Sequence, residues 1–478
     1  MKLNQIKNIY YYLFSAALLL LAACNPVKRV TLPETVKLPE KFNTMVPVPE
    51  EALRWKSIFT QKELDTLISG ALKNNLDMKS GIQRVLIAGA NLKLSKAALF
   101  PALRASVSGG LDQFGKYTMN GVGNYDTNFS ENINADQKIP GPTPDYFAGF
   151  RSSWEIDIWG KLSKRKEAAY HRYLSSTKGL KWYQTQLTCQ VASLYYELVA
   201  LDKRLKILKE NISLQNKGLE VVEAQMTGGR ATALAVSQFK AQRTATQGKQ
   251  FEIRQAITRV ENQLNLLLGR YPAKIRRDTS AINLPLPKKV YAGLPSGILL
   301  NRPDVQQAEE ELKAAKADVA AARKAFLPSL TLDAYAGYNA FKLTLLFSPG
   351  SLAAGFLGGL TAPVLNRAGL KNANLVANAH QLNAFYQYQQ SLINGYQEVT
   401  MQLSALENYK QAYDYKTSEV AELKNAVSTA NDLYLAGYAS YLDVIVAQGS
   451  VLNVEMEQVD LKQASYAALI GLYRALGG

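Results

Sequence analysis

The sequence predicts a mainly α protein with a small membrane β portion, assembled from two duplicated halves of strand, strand and long helices. Three observations carry this expectation. The segment Tyr146–Lys161, YFAGFRSSWEIDIWGK, alternates in steps of two. Tyr146, Ala148, Phe150, Ser152, Trp154, Ile156 and Ile158 fall on one face, and Phe147, Gly149, Arg151, Ser153, Glu155 and Asp157 on the other. Such a strand suits a wall with an apolar medium outside and water inside. The period then changes. From Leu180 through Leu187, Val191, Leu198, Leu205, Leu208, Gln215 and Leu219 to Met226, steps of four and three alternate without a break. That is a heptad seam. A helix from Leu162 to Met226 would reach roughly 95 Å at 1.5 Å per residue, about three times the hydrocarbon thickness of a bilayer.

The third observation is internal repetition. A shift of 227 residues brings Asn74-Asn75-Leu76-Asp77 onto Asn301-Arg302-Pro303-Asp304, Pro101 onto Pro328 and Gly110 onto Gly337. Further on, a shift of 208 brings Gly229 onto Gly437, Leu234 onto Leu442 and Gly269 onto Gly477. Aligned prolines, glycines and helix ends mark a duplication.

Taken in order, the chain opens with Lys2 and Lys7, an apolar run from Ile9 to Leu21, and Leu21-Ala22-Ala23-Cys24. These read as a secretory leader over 1–23, and the last four resemble the lipobox of bacterial lipoproteins, which implies acylation at Cys24. Lipid there is an anchor and not a pore. Prolines at 26, 33, 39, 47 and 49 predict an extended, lipid-anchored arm over 24–60. The first repeat is expected over 61–269: a helix from Glu63 to Leu99, strands at 102–112 and 146–158 flanking a long surface loop from Gly115 to Asp145, then the long helices. A proline-rich linker covers 270–301. The second repeat spans 302–478, with strands at 329–338 and 351–364. Its last helix carries another seam through Leu442, Ile445, Leu452, Val459, Tyr466 and Tyr473.

Four strands are too few to close a barrel, since the smallest closed ones need about eight. An open sheet would leave unpaired edges in lipid. Either the strands lie outside a membrane or several copies build one barrel.

Composition narrows the function classes. Net charge is +16, or +14 without Lys2 and Lys7, yet the basic run KLSKRK at Lys161–Lys166 has no aromatic base-reading motif beside it, so nucleic acid is not an expected partner. Cys24 and Cys189 are the two cysteines and provide no disulfide framework. His171 and His380 fit no metal spacing, and neither a P-loop nor GxSxG is present, so no catalytic residues, metal or cofactor are expected. The seven methionines are scattered, without a cluster for soft cations.

The lipobox LAAC, the opening FTQKELDTLISGALKNNLDMKSG, ALFPAL and AFLPSL before the strands, WEIDIWGK after them and GYASYLDVIVAQ before the last helix together resemble the TolC-type outer-membrane factors, in their lipoprotein subgroup. The resemblance covers essentially the whole mature chain. It implies a homotrimer whose twelve strands form one outer-membrane β-barrel continued by an α-helical barrel across the periplasm. It also implies a periplasmic adaptor and an inner-membrane pump as partners, with outer-membrane lipid around the barrel. The implied function is the passive exit duct of a tripartite efflux system. A type I protein secretion duct of the same fold and a structural coiled-coil lipoprotein are the alternatives.

Function should then sit at the helix reversals. Gly228, Gly229 and Thr232, with Gly437, Tyr438 and Ser440, are the candidate tip turns for adaptor docking. By resemblance, Asp443 matches an acidic ring and Tyr434 a tyrosine of the periplasmic gate. The family's arginine position falls on Ala439 and its second acidic position on Val446, so the family's salt-linked latch is incomplete. Arg230 on the first turn is the candidate substitute charge.

Overall fold

The computed structural model describes residues 31–34, 39, 61–283, 295–363 and 368–478. The leader, Cys24, nearly all of the arm and part of the linker lie outside the described residues. The element order is α1 (Lys62–Asn74), α2 (Leu76–Ala97), β1 (Ala102–Asp112), α3 (Met119–Thr127), β2 (Thr143–Ile156), α4 (Lys161–Thr227), α5 (Ala233–Leu267), α6 (Pro295–Leu299), α7 (Pro303–Lys324), β3 (Ser329–Ala340), β4 (Leu352–Thr361), α8 (Ala368–Ala436) and α9 (Tyr441–Ala475). No helix among the described residues is long and apolar enough to cross a membrane.

Two compact units form, and they cut across the repeats. One takes Ile87–Tyr173 and Glu311–Phe385 and holds all four strands. The other takes Glu34–Leu86, Leu174–Glu310 and Tyr386–Gly478 and holds the helix reversals.

In the first unit the strands form one antiparallel sheet in the order β1-β2-β3-β4. The expected alternation holds in β1, β2 and β3; in β4 it is interrupted by Leu357, opposite Asp333, which falls on the polar face and is exposed. Leu103, Val107 and Leu111 of β1 share a face with Phe150 of β2 and with Leu352, Phe356 and Leu360 of β4, all exposed. The opposite face carries Arg104, Ser106, Asp145, Arg151, Ser153, Asp333 and Asn339 around a concavity of about 1000 Å³.

On β2 a different residue departs from the expected wet face. Phe147 is 4% exposed, its ring edge-on to Tyr335 with centroids 6.1 Å apart. Gly149 and Gly337 sit opposite each other, and a Cβ on Gly149 would stand 2.5 Å from the Ala336 carbonyl oxygen and from Gly337 Cα. The Phe147 ring closes over Gly149 and the Tyr335 ring over Gly355 of β4, which compensates for the missing side chains.

Both proline junctions into the strands are tied by tryptophans of WEIDIWGK. Trp154 Nε1 donates to the Leu99 carbonyl at 3.0 Å, and Trp159 Nε1 donates to the Pro328 carbonyl at 2.6 Å. Between β2 and α4, the Asp157 carboxylate accepts from the Leu162 and Ser163 amides at 2.8 and 2.7 Å, satisfying two orphan donors of the helix start. Burial alone would raise its pKa; hydrogen bonds from the Ser163 hydroxyl and from both amides outweigh that and hold the carboxyl below its usual value.

In the second unit the seam of α4 is the core. Leu187, Val191, Leu198, Leu201 and Leu208 are buried with Leu64 and Ile68 of α1, Val260 and Leu264 of α5, and Val459, Tyr466 and Tyr473 of α9. Gln215, a polar seam position, is buried and donates through Nε2 to the Thr246 hydroxyl at 3.1 Å. Cys189 packs beside the seam, and burial pushes its thiol up to about 12.

The structure adjusts several boundaries. The single helix expected from Glu63 to Leu99 is broken at Asn75. The Asn75 side chain accepts from the Met78 amide at 2.8 Å and donates to the Leu267 carbonyl at 3.0 Å, so it starts α2 while gripping the end of α5. The surface loop from Gly115 to Asp145 contains α3, capped by the Thr118 hydroxyl on the Gly121 amide. The second strand runs 143–156 instead of 146–158, because Asp157 and Ile158 turn into the α4 cap. The third extends to Ala340, and the fourth ends at Thr361, ahead of Pro363.

Candidate functional site

The two helix reversals of the second unit are built alike. At the end of α4 the Arg230 amide donates to the Gln225 carbonyl at 2.8 Å, and at the end of α8 the Tyr438 amide donates to the Leu433 carbonyl at 2.8 Å. These are six-to-one closures of the Schellman type, which need a left-handed residue just past the helix. Gly229 with φ of 73° and Gly437 with φ of 85° supply it. Gly228 does not: its backbone is not left-handed, an added Cβ would meet nothing closer than 3.6 Å, and the 208-residue shift places it on Ala436. Of the glycine pair expected to enable the turn, one is structural.

Each turn leads into a capped helix. The Thr232 hydroxyl accepts from the Ala235 amide at 3.2 Å at the start of α5. Ser440 and Asp443 form a full capping box at the start of α9. The Ser440 amide and hydroxyl both donate to Asp443 Oδ2 at 2.8 Å, and the Ser440 hydroxyl accepts from the Asp443 amide at 3.4 Å. The hydrogen bonds from the Ser440 hydroxyl and amide hold the Asp443 carboxyl below its usual pKa. The helix N-terminus favours the same ionised form.

Tyr434 is half-buried, and burial pushes its phenol up. It packs with Ala231 and Ile445 against a cluster of Leu219, Val222, Val236, Phe239 and Val444 that joins both turns. Arg230 is exposed and has no ion-pair partner among the described residues. Within one chain the structure therefore gathers Tyr434 and both turns around one apolar plug, pairs Asp443 with Ser440, and leaves Arg230 facing solvent.

Tyr438 apart, the apolar rim of these turns was not anticipated from the sequence. Leu234 of α5 and Leu442 of α9 are equivalent under the 208-residue shift and both exposed. Leu435, Tyr438 and Val446 are exposed beside them, Tyr438 at 85%. The signal was present in the repeat alignment, where matching leucines at the first turn of two helices cannot both be explained by the buried seams.

The chain matches the family described as outer membrane efflux protein over residues 67–270 and 294–478. It is 29% identical over 425 residues to the cation efflux system protein CusC of Escherichia coli O6:H1, covering 89% of this chain and 88% of that protein. It is 29% identical over 425 residues to the probable outer membrane lipoprotein SilC of Salmonella typhimurium, covering 89% and 87%. Its fold superposes on a crystal structure of CusC, from a study of transmembrane channel formation, with a TM-score of 0.81 and 26% identity over 95% of this chain and 99% of that one. With a two-faced sheet, duplicated long helices and capped reversals in place, the chain belongs to the outer membrane efflux protein family, the outer-membrane channels that serve as exit ducts of tripartite efflux systems in Gram-negative bacteria.

Proposed function

We propose that three copies complete the duct. The observation that carries this reading is the sheet: β1 and β4 each pair on one side only among the described residues, while the face holding Leu103, Val107, Phe150 and Phe356 is exposed. Unpaired edges are untenable in lipid and a naked apolar face is untenable in water; pairing β1 of one copy with β4 of the next satisfies the edges, and a bilayer accepts the face. Twelve strands then enclose the polar concavity as a lumen, and lipid covers the apolar face. Acylated Cys24 anchors the chain alongside.

The capped turns are the periplasmic end. Their exposed apolar rim of Leu234, Leu435, Tyr438 and Leu442 receives the adaptor, which links the duct to an inner-membrane pump. Three Asp443 carboxylates form a cation-attracting ring in this assembly, with Tyr434 and Arg230 adjusting its closure. Primary substrate choice rests with the pump, because the duct conducts passively. The test is cysteine pairs placed on β1 and β4 of the full-length protein. Intermolecular crosslinks that yield a heat-modifiable trimer conducting ions in planar bilayers support the duct; a monomer that conducts nothing overturns it.

A further inference from the structure

The register of the sheet sets Arg104 of β1 directly opposite Arg151 of β2, on the concave polar face. Both are exposed, and among the described residues neither makes an ion pair or hydrogen bond. Like charges directly opposed across an antiparallel pair weaken it, so the sheet carries this arrangement against its own stability. Arg151 is also held in place. Its guanidinium lies over the ring of buried Phe147, 4.6 Å from the centroid, a contact that orients the charge while leaving its donors free.

The carboxylates on that face do not neutralise the pair. Glu155 is bound to Lys161, and Asp145 accepts from Asn339 at 2.6 Å. Asp112 lies at the far end of β1. Asp333, opposite Ser153, is the diagonal neighbour of Arg151 and faces two guanidiniums with one charge. Assembly brings no further acid from the adjoining edge: β4 reads LAAGFLGGLT, so whichever register it takes against β1 of a sister copy, it places no carboxylate beside Arg104.

We propose that Arg104 and Arg151 form an anion-attracting girdle inside the barrel, favouring solutes that carry a carboxylate, sulfonate or phosphate at the outer stage of the duct. The inference rests on the reading above that this face lines a water-filled lumen. Guanidinium groups serve this purpose because each presents several donors in a planar fork that matches an oxyanion. The girdle is opposite in sign to the proposed Asp443 ring, so the two rings discriminate differently.

Ser106, two residues along β1 from Arg104 and on the same face, provides a probe site. In the full-length protein in outer-membrane vesicles, Ser106→Cys is treated with an anionic (ethylsulfonate) or a cationic (trimethylammonium) methanethiosulfonate. The protein without the introduced thiol controls for buried Cys189. The anionic reagent is expected to react faster. Adding Arg104→Gln and Arg151→Gln should lower the anionic-to-cationic rate ratio by at least about threefold, the scale of unit charges acting across several ångströms of water. Arg104→Lys with Arg151→Lys should preserve it. A ratio unmoved by the glutamine pair overturns the girdle while leaving the duct intact. A thiol that neither reagent reaches overturns the lumen placement itself, and the girdle with it.

Discussion

Arg302 and Asn75 stand 227 positions apart in the chain and grip equivalent carbonyls: Arg302 Nη1 donates to Ala475 at 2.7 Å, and Asn75 Nδ2 donates to Leu267 at 3.0 Å. Ala475 and Leu267 are themselves 208 positions apart, the shift that aligns the helix ends of the two halves. Each half thus uses the residue before its second helix to seal the end of its last one. Arg302 is 1% exposed, and its charge is balanced by Asp304 at 2.7 Å and Glu398 at 3.0 Å.

Removing that guanidinium leaves two partly covered carboxylates and an orphan carbonyl. Arg302→Met is expected to destabilise the protein by about 3 kcal/mol, the low end for a broken buried ion pair because Asp304 and Glu398 keep some water. Asn75→Ala should cost about 1–2 kcal/mol for the lost hydrogen bonds. Urea unfolding followed by circular dichroism measures both, and an Asn75 variant less stable than the Arg302 variant would contradict the ranking.

The reversals separate their glycines. Gly229→Ala and Gly437→Ala should each cost about 1–2 kcal/mol, the penalty of a Cβ in the left-handed region. Gly228→Ala should be neutral or stabilising by up to about 1 kcal/mol, since that position is helical in character. Gly437→Leu, which adds bulk to the same strain, is expected to lose complementation of an efflux-deficient strain; normal resistance would remove this turn from adaptor docking.

Asp443 serves the cap and, in the trimer, the proposed ring. Asp443→Ala is expected to lower the cation selectivity of the reconstituted channel, and unchanged reversal potentials would take Asp443 out of the gate. Its folded pKa is depressed, so the cap contributes fully above the ordinary carboxylate value of about 3.9 and is lost as pH falls through the folded value. The protection of the Ser440 amide against exchange, relative to its intrinsic rate at each pH, should therefore fall only on acidification below that ordinary value.

The two faces of β1 predict opposite tolerances. Val107 is 85% exposed on the apolar face, and Ser108 is its neighbour on the polar one. Val107→Arg should cost about 2–4 kcal/mol in lipid near the midplane and deplete heat-modifiable trimers. Ser108→Arg should assemble. Equal yields of the two would contradict the assignment of faces.

Much of this was legible without coordinates because it depends on local periodicity. Strict alternation separated the two faces of the sheet before pairing was known, since neighbouring side chains in a strand must point oppositely. The heptad steps named much of the buried stripe of α4, although Gln184 and Met226 on that seam are exposed and Tyr195, Tyr196, Val199 and Ile207 are buried off it; the glycine-serine and glycine-threonine stretches marked the reversals. Repetition at fixed shifts tied the halves together. Periodicity also misread Asn75, where a good helical pattern is interrupted because its side chain finds a better partner on α5, 192 residues away. It missed α3 in a loop rich in glycine and asparagine, whose weak propensity gave no signal.

By itself the sequence determined the halves, the faces and the turns, because each rests on the spacing of residues along one chain. The tertiary structure alone decided which side chains meet: Arg104 against Arg151, Phe147 over the glycine gap, Arg302 on the last helix. Those contacts depend on strand register and helix packing between segments far apart in the chain, and such long-range geometry leaves no period to read.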